Sequence, residues 1–149
     1  MTLRARLTDL ADRIPLPAET LGGIVVGVVV QRWRPWPMPA VARPAGVLCS
    51  VVGVGLVAVA WRERGPGDLE HPVVLVTTGV HARTRNPIYV GFTLAHLGLA
   101  AATRNGWMLA TCPLSAVLVH RYVPREERQL HELFGAEYDA YRARVPRYL

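Results

Sequence analysis

Eighteen consecutive residues, Pro44 to Trp61, carry no charged side chain. As a helix rising ~1.5 Å per residue, such a run comes close to the ~30 Å of a bilayer's hydrocarbon core. Few other folds tolerate it. Two more charge-free runs, Asn86 to Thr103 and Asn105 to His120, flank the tight Thr103-Arg104-Asn105 connection and predict a helical hairpin in the membrane. Leu16 to Gln31 is shorter and nearly crosses if Glu19 lies at the interface. Its glycines suit close helix packing, and Trp33 and Trp36 suit an interfacial belt ahead of the linker broken by Pro35, Pro37, Pro39 and Pro44. The expected fold is an all-α membrane protein of about four transmembrane helices, one domain over residues 1–149. A C-terminal amphipathic helix is expected to dock at the cytoplasmic interface.

Composition agrees: 51% of the residues are hydrophobic and mean hydropathy is +0.21, too apolar for a typical soluble domain of this length. The net charge is +6, and all 17 cations are arginines. They are dispersed between apolar runs with no aromatic-interleaved basic face, which argues against nucleic acid and for anionic lipid headgroups. With both termini in the cytoplasm, 13 arginines face inward and Arg32, Arg34, Arg43 and Arg104 face outward, the asymmetry expected of a membrane protein. Residues 1–15 read as a short amphipathic surface helix and not as a cleaved signal peptide. Cys49 and Cys112 both lie in apolar runs without metal-ligand spacing and read as small core residues.

The most informative stretch is Gly79 to Gly91, where a charged loop passes through Pro87 into an apolar helix. Proline suits a first helical turn and pushes its predecessor out of the helical region, so Arg85 and Asn86 belong at the helix mouth. Free backbone N–H groups there, with the arginines upstream, can receive a carboxylate or phosphate, or the arginines simply meet lipid headgroups. From Pro124 onward, Leu130, Leu133, Phe134, Tyr138 and Tyr141 form one apolar stripe. Glu126 and Glu127 fall on its two borders, either as functional carboxylates or as first-turn acids complementing the helix dipole. His96 reads as bonded to a neighbouring helix or as lining a polar cavity, and Pro113 predicts a kink.

Leu75-Val76-Thr77-Thr78-Gly79-Val80, Arg85-Asn86-Pro87-Ile88-Tyr89-Val90-Gly91, Glu126-Glu127-Arg128-Gln129-Leu130 and Phe134-Gly135-x-Glu137-Tyr138-x-x-Tyr141 occur in this order with the hairpin between them. Over residues 72–149 the chain resembles the isoprenylcysteine carboxyl methyltransferase family, related to phospholipid methyltransferases. That resemblance implies an integral membrane methyltransferase using S-adenosylmethionine, with Arg85, Asn86, Pro87, Tyr89, Glu126 and Glu127 at the cofactor and Arg85, Tyr89 and Glu127 at the chemistry. Asn86 departs from the family's frequent histidine; it keeps a hydrogen-bonding side chain but cannot titrate near neutral pH. No metal is required, since in-line positioning can supply much of the acceleration of methyl transfer from a sulfonium. The implied acceptor is lipophilic and enters from the bilayer: an isoprenylcysteine-like carboxylate, a phospholipid, or a small lipophilic thiol or acid. The implied location is the bacterial inner membrane with the cofactor site facing the cytoplasm. Two other functions compete, an NADPH-dependent membrane reductase on a similar scaffold and a non-catalytic small membrane protein.

Overall fold

A computed structural model describes residues 18–64 and 72–149; the expected N-terminal surface helix and the Gly65-Pro66-Gly67 turn lie outside them. The described residues form six α-helices: α1 (Ala18–Trp33), α2 (Ala42–Glu63), α3 (Pro87–Ala102), α4 (Gly106–His120), α5 (Val123–Phe134) and α6 (Ala136–Arg144). A single 3-10 turn, Gly79–Ala82, precedes α3. Pro87 opens α3 at its first position, as expected. Pro113 lies inside α4 without ending it.

Helix α2 packs along α3, α3 along α4, and α4 along α1, giving the spatial order α2, α3, α4, α1. The α2–α3 contact is set by small residues: a Cβ on Gly53 would stand 2.4 Å from the Ala95 nitrogen, and one on Gly98 2.3 Å from the Ser50 nitrogen. These two backbones approach as closely as they do because nothing larger than hydrogen separates them. Helices α1 and α4 also meet at a glycine, a Cβ on Gly27 falling 2.6 Å from Met108 Cα, and are stitched by polar groups as well. Asn105 Nδ2 donates to the Gly27 carbonyl at 3.1 Å, Thr111 to Gly23 at 2.8 Å and Ser115 to Glu19 at 2.9 Å. His96 is buried with its Nε2 3.4 Å from Thr111 Oγ1, the neighbouring-helix arrangement of the two its position allowed. Cys49 and Cys112 are free thiols.

The bundle's outside is apolar. Val47, Leu48, Val51, Val52 and Val54 of α2, Val25 and Val26 of α1, and Leu114 and Val117 of α4 are all exposed. Only 17% of the most apolar window of α2 is buried. A helix in the core of a soluble domain has the opposite character, so these flanks call for an apolar surrounding. By length and hydropathy, α2 alone among the described helices meets the requirement for a full span, with 22 residues and a window hydropathy of 2.0. Helices α3 and α4 are apolar but shorter, at 16 and 15 residues.

At one end of the bundle the α1–α2 linker docks on the α3–α4 turn. Arg104, at φ +59°, donates through Nε to the Met38 carbonyl at 2.7 Å, and Trp107 Nε1 donates to Arg34 at 2.6 Å. The C-terminal part closes the other end. The expected single stripe is divided between two helices, because Gly135 takes φ +51° and ψ −122°, a conformation that L side chains rarely adopt, and α5 stops there. The break lets α6 turn back. Tyr138, Tyr141 and Val145 then form a buried cluster against Leu75, Leu130 and Phe134, while Leu133 is left half exposed.

Candidate active site

The closed end holds a cleft of about 200 Å³ between the loop before α3, the first turn of α3, and the facing sides of α5 and α6. Its walls are of two kinds. Val74, Leu75, Val76, Ile88, Leu130 and Leu133 are apolar, whereas Arg64, His81, Arg85, Asn86, Tyr89, Glu126, Glu127, Tyr138 and Tyr141 carry polar groups. The two sequence motifs far apart in the chain, Arg85-Asn86-Pro87-x-Tyr89 and Glu126-Glu127, therefore meet across one space.

The paired glutamates differ in surroundings. Glu127 is buried, its carboxylate accepting from Arg85 Nε (3.3 Å) and Nη2 (2.8 Å) and from Arg147 Nε (3.0 Å) and Nη2 (2.6 Å). Three of those bonds fall on Oε1 and one on Oε2, so the two arginines crowd one oxygen and leave acceptor capacity on the other. Burial alone would raise the Glu127 carboxyl, but the hydrogen bonds and charges of Arg147 and Arg85 outweigh it and hold the group below the ordinary carboxylate range. Glu126 is exposed to the cleft, accepts from the Tyr89 hydroxyl and has the Arg64 charge near it.

Arg85 is equally engaged. Besides Glu127 it donates through Nη1 to the carbonyls of Val145 (2.6 Å) and Arg142 (3.2 Å), and its remaining N–H, of the five it carries, lies on the side shared with the Tyr138 hydroxyl and the cleft. Asn86 does not cap α3 with its side chain. Its Nδ2 donates to the Arg147 carbonyl at 3.1 Å, Thr84 Oγ1 donates to the same carbonyl at 3.0 Å, and the Arg85 amide donates to Pro146 at 3.0 Å. Residues 142–147 thus form a strap along Thr84-Arg85-Asn86, while the first turn of α3, with Pro87, Ile88 and Tyr89, still lines the cleft. Arg147, absent from the motif reading, completes the ion triad; its only sequence signal was a basic residue near the chain's end.

Three other lining groups emerge only in three dimensions. Tyr138 is 1% exposed, and among the described residues its hydroxyl makes no hydrogen bond of good geometry, although the Arg85 guanidinium lies beside it; burial raises its pKa. Tyr141 donates to the His81 carbonyl at 2.7 Å and is pushed up to about 12 by burial. His81 faces Glu63 across 3.3 Å. Sequence distance hides this contact, the two residues lying 18 positions apart.

A second, more apolar groove of about 450 Å³ runs between α3 and α4 past Val90, Leu94, Val117 and Val119 to His120, Tyr148 and Leu149. Tyr89 borders both spaces. His120 Nδ1 and the Tyr148 hydroxyl lie 2.7 Å apart at the groove's polar end.

Fold and site together define a class: a small helical bundle with outward-facing apolar flanks, one polar cleft at its closed end, and an apolar groove beside it. The phospholipid methyltransferase family matches residues 42–137, and the chain belongs to that family. Over 76 residues it is 38% identical to the protein-S-isoprenylcysteine O-methyltransferase of Schizosaccharomyces pombe. That stretch is 49% of this chain but 31% of the fission-yeast protein, so the chain covers less than a third of that relative's length. No solved structure matches the chain.

Proposed function

We propose that the protein is an integral membrane methyltransferase that moves a methyl group from S-adenosylmethionine to a lipophilic acceptor. The observation that carries this reading is the position of Tyr89 between a polar cleft and an apolar groove. A reaction joining a polar donor to a lipid-soluble acceptor needs such a boundary, and family membership supplies the reaction class.

The cofactor carries a carboxylate, an ammonium, ribose hydroxyls and an adenine, and the cleft fits this set. Glu126 has acceptor capacity for hydroxyls or the ammonium. The buried Tyr138 hydroxyl, beside Arg85 but without a well-formed hydrogen bond among the described residues, has capacity for a ligand. Leu75, Val76, Ile88 and Leu130 offer an apolar wall to the adenine, and the remaining N–H of Arg85 suits the carboxylate. When bound, the cofactor supplies an electrophilic methyl group on a sulfonium. Asn86, Pro87 and Glu127 act as positioning residues: Glu127 holds Arg85 against the strap, Asn86 fixes the Arg147 carbonyl, and Pro87 sets the start of α3 and so the placement of Tyr89. Water is kept from the apolar wall by the Tyr138–Tyr141–Val145 cluster.

The four-span arrangement, with both ends cytoplasmic, belongs to the same proposal. Helices of 15 and 16 residues are a few ångströms short of the hydrocarbon thickness, a mismatch bilayers accommodate by local thinning. The acceptor then reaches Tyr89 through the α3–α4 groove from the lipid side. Calorimetric titration of the detergent-purified protein with S-adenosylhomocysteine and, separately, NADPH tests the reading. Binding of the first alone is expected. Binding of NADPH alone would favour a reductase, and binding of neither a non-catalytic role.

A further inference from the structure

We propose that Glu63 and His81 form a general-base dyad in the cleft, and that the methyl acceptor is accordingly a lipophilic ammonium or thiol, not a carboxylate. The inference rests on the methyltransferase reading and narrows it.

The dyad is built from three sides. Glu63 Oε2, at the end of α2, accepts the Val80 amide at 2.9 Å and faces His81 Nδ1 at 3.3 Å. Room for that carboxylate exists because residue 79 is glycine: a Cβ there would stand 2.0 Å from Glu63 Oε1, and its φ of +59° disfavours any side chain. The His81 carbonyl is held by Tyr141. A carboxylate at Nδ1 favours the proton on that nitrogen and so leaves Nε2 with its lone pair, and His81 lines the cleft with Arg85, Tyr89 and Glu126. The side chain is 14% exposed. Facing it are Glu63 and Arg64 from α2, Arg85 from the loop, Glu126 from α5 and Tyr141 from α6. Burial lowers its pKa, Glu63 opposes the shift and Arg64 adds to it, so the imidazole is neutral at pH 7, as a base must be.

A tie between α2 and the loop is already made by the Val80 amide and needs no imidazole. Nor does a carboxylate acceptor need a base, being ionised at neutral pH. Ammonium groups and thiols, with ordinary pKa values of about 10.4 and 8.5, keep their proton there. In the proposed step the acceptor's N–H or S–H proton passes to His81 Nε2. The freed pair forms the new N–CH3 or S–CH3 bond as the donor's S–CH3 bond breaks, and that bonding pair stays on the donor sulfur, which becomes a neutral thioether.

Two measurements test this. Nitrogen NMR of histidine-labelled protein in detergent is expected to show His81 neutral at pH 7 with its proton on Nδ1, the preference being lost in Glu63→Gln. A proton on Nε2, or a charged ring, overturns the dyad whether or not the protein is a methyltransferase. Methyl transfer from S-adenosylmethionine is then compared on phosphatidylethanolamine, dodecanethiol and dodecanoate. Transfer to the amine or thiol is expected, with kcat lowered ~10²- to 10⁴-fold in His81→Gln and S-adenosylhomocysteine affinity unchanged. On the thiol, the variant's rate should recover toward pH ~8.5 as the acceptor ionises by itself. Transfer to dodecanoate alone, or His81→Gln rates equal to the parent's, overturns the proposal. If the protein neither binds S-adenosylhomocysteine nor transfers methyl groups, the methyltransferase reading falls and the base assignment with it.

Discussion

Arg85 Nη2 and Glu127 Oε1 meet at 2.8 Å with both side chains about nine-tenths buried, at 9% and 10% exposure. The same carboxylate holds Arg147, so one acid anchors the loop before α3 and the C-terminal strap. Adjacent glutamates consequently have separable roles. Glu127→Gln leaves a buried arginine short of its counter-charge, a loss of ~3–5 kcal/mol for a broken buried pair, and should lower the melting temperature in detergent markedly. Glu126→Gln should leave melting unchanged and weaken S-adenosylhomocysteine binding by ~1.5–3 kcal/mol, roughly tenfold or more. Equal affinity in Glu126→Gln and the parent would remove Glu126 from the site.

The glycines of α2 divide in the same way. A Cβ at Gly53 meets the Ala95 backbone at 2.4 Å, whereas one at Gly55 meets nothing within 4 Å. Gly53→Ala must push α2 off α3 and should cost ~1–3 kcal/mol. Gly55→Ala should be neutral or stabilising by up to ~1 kcal/mol through helix propensity. Thermal unfolding of the two variants in one detergent decides it; similar shifts in both would mean that α2 and α3 are not in contact there.

Much of this was legible in the sequence. Apolar runs and the proline junction located α3 and α4, because periodicity and proline stereochemistry are local properties. The ordered motifs gave the family, which the match over residues 42–137 bears out. Contacts between distant residues were not legible. Nothing near Glu63 announces His81, and nothing near Arg147 announces Glu127, since an ion pair leaves no periodic trace. The break at Gly135 was visible as a residue but not as a φ, so one stripe was expected where α5 and α6 turn against each other. Arg85 and Glu127 both stand in the motifs as candidate ligand groups, and that they also pair with each other is a contact periodicity alone could not reveal.

Four spans with cytoplasmic termini place the α3–α4 turn outside. Arg104→Cys should be labelled by a membrane-impermeant maleimide added to intact cells, and a cysteine at Arg128 only after lysis. Arg104 Nε is bonded to the Met38 carbonyl, so labelling is to be checked on protein whose melting matches the parent's. Labelling of Arg104→Cys from the cytoplasmic side alone would remove the four-span arrangement.

Acid should loosen the closed end in two stages. Burial lowers the His81 pKa below its ordinary 6.5. The folded protein then binds fewer protons than the unfolded chain, so the corresponding stability is complete above pH 6.5 and declines as pH falls through the folded value. Glu127 follows the same sign from lower down: arginine contacts hold its carboxyl below 4.5, and its contribution declines as pH drops under that value. Melting temperature in detergent should therefore be flat from pH 8 to about 6.5, slope downward below it, and steepen below about 4.5. His81→Gln should shrink the upper limb, to which the buried His96 also contributes, and leave the lower one, because glutamine does not titrate while the Arg85–Glu127–Arg147 triad is untouched. Glu127→Gln should do the converse at a lower overall melting temperature. A parent profile flat down to pH 5, or an upper limb undiminished in His81→Gln, would show that His81 is not a buried neutral group in the folded protein.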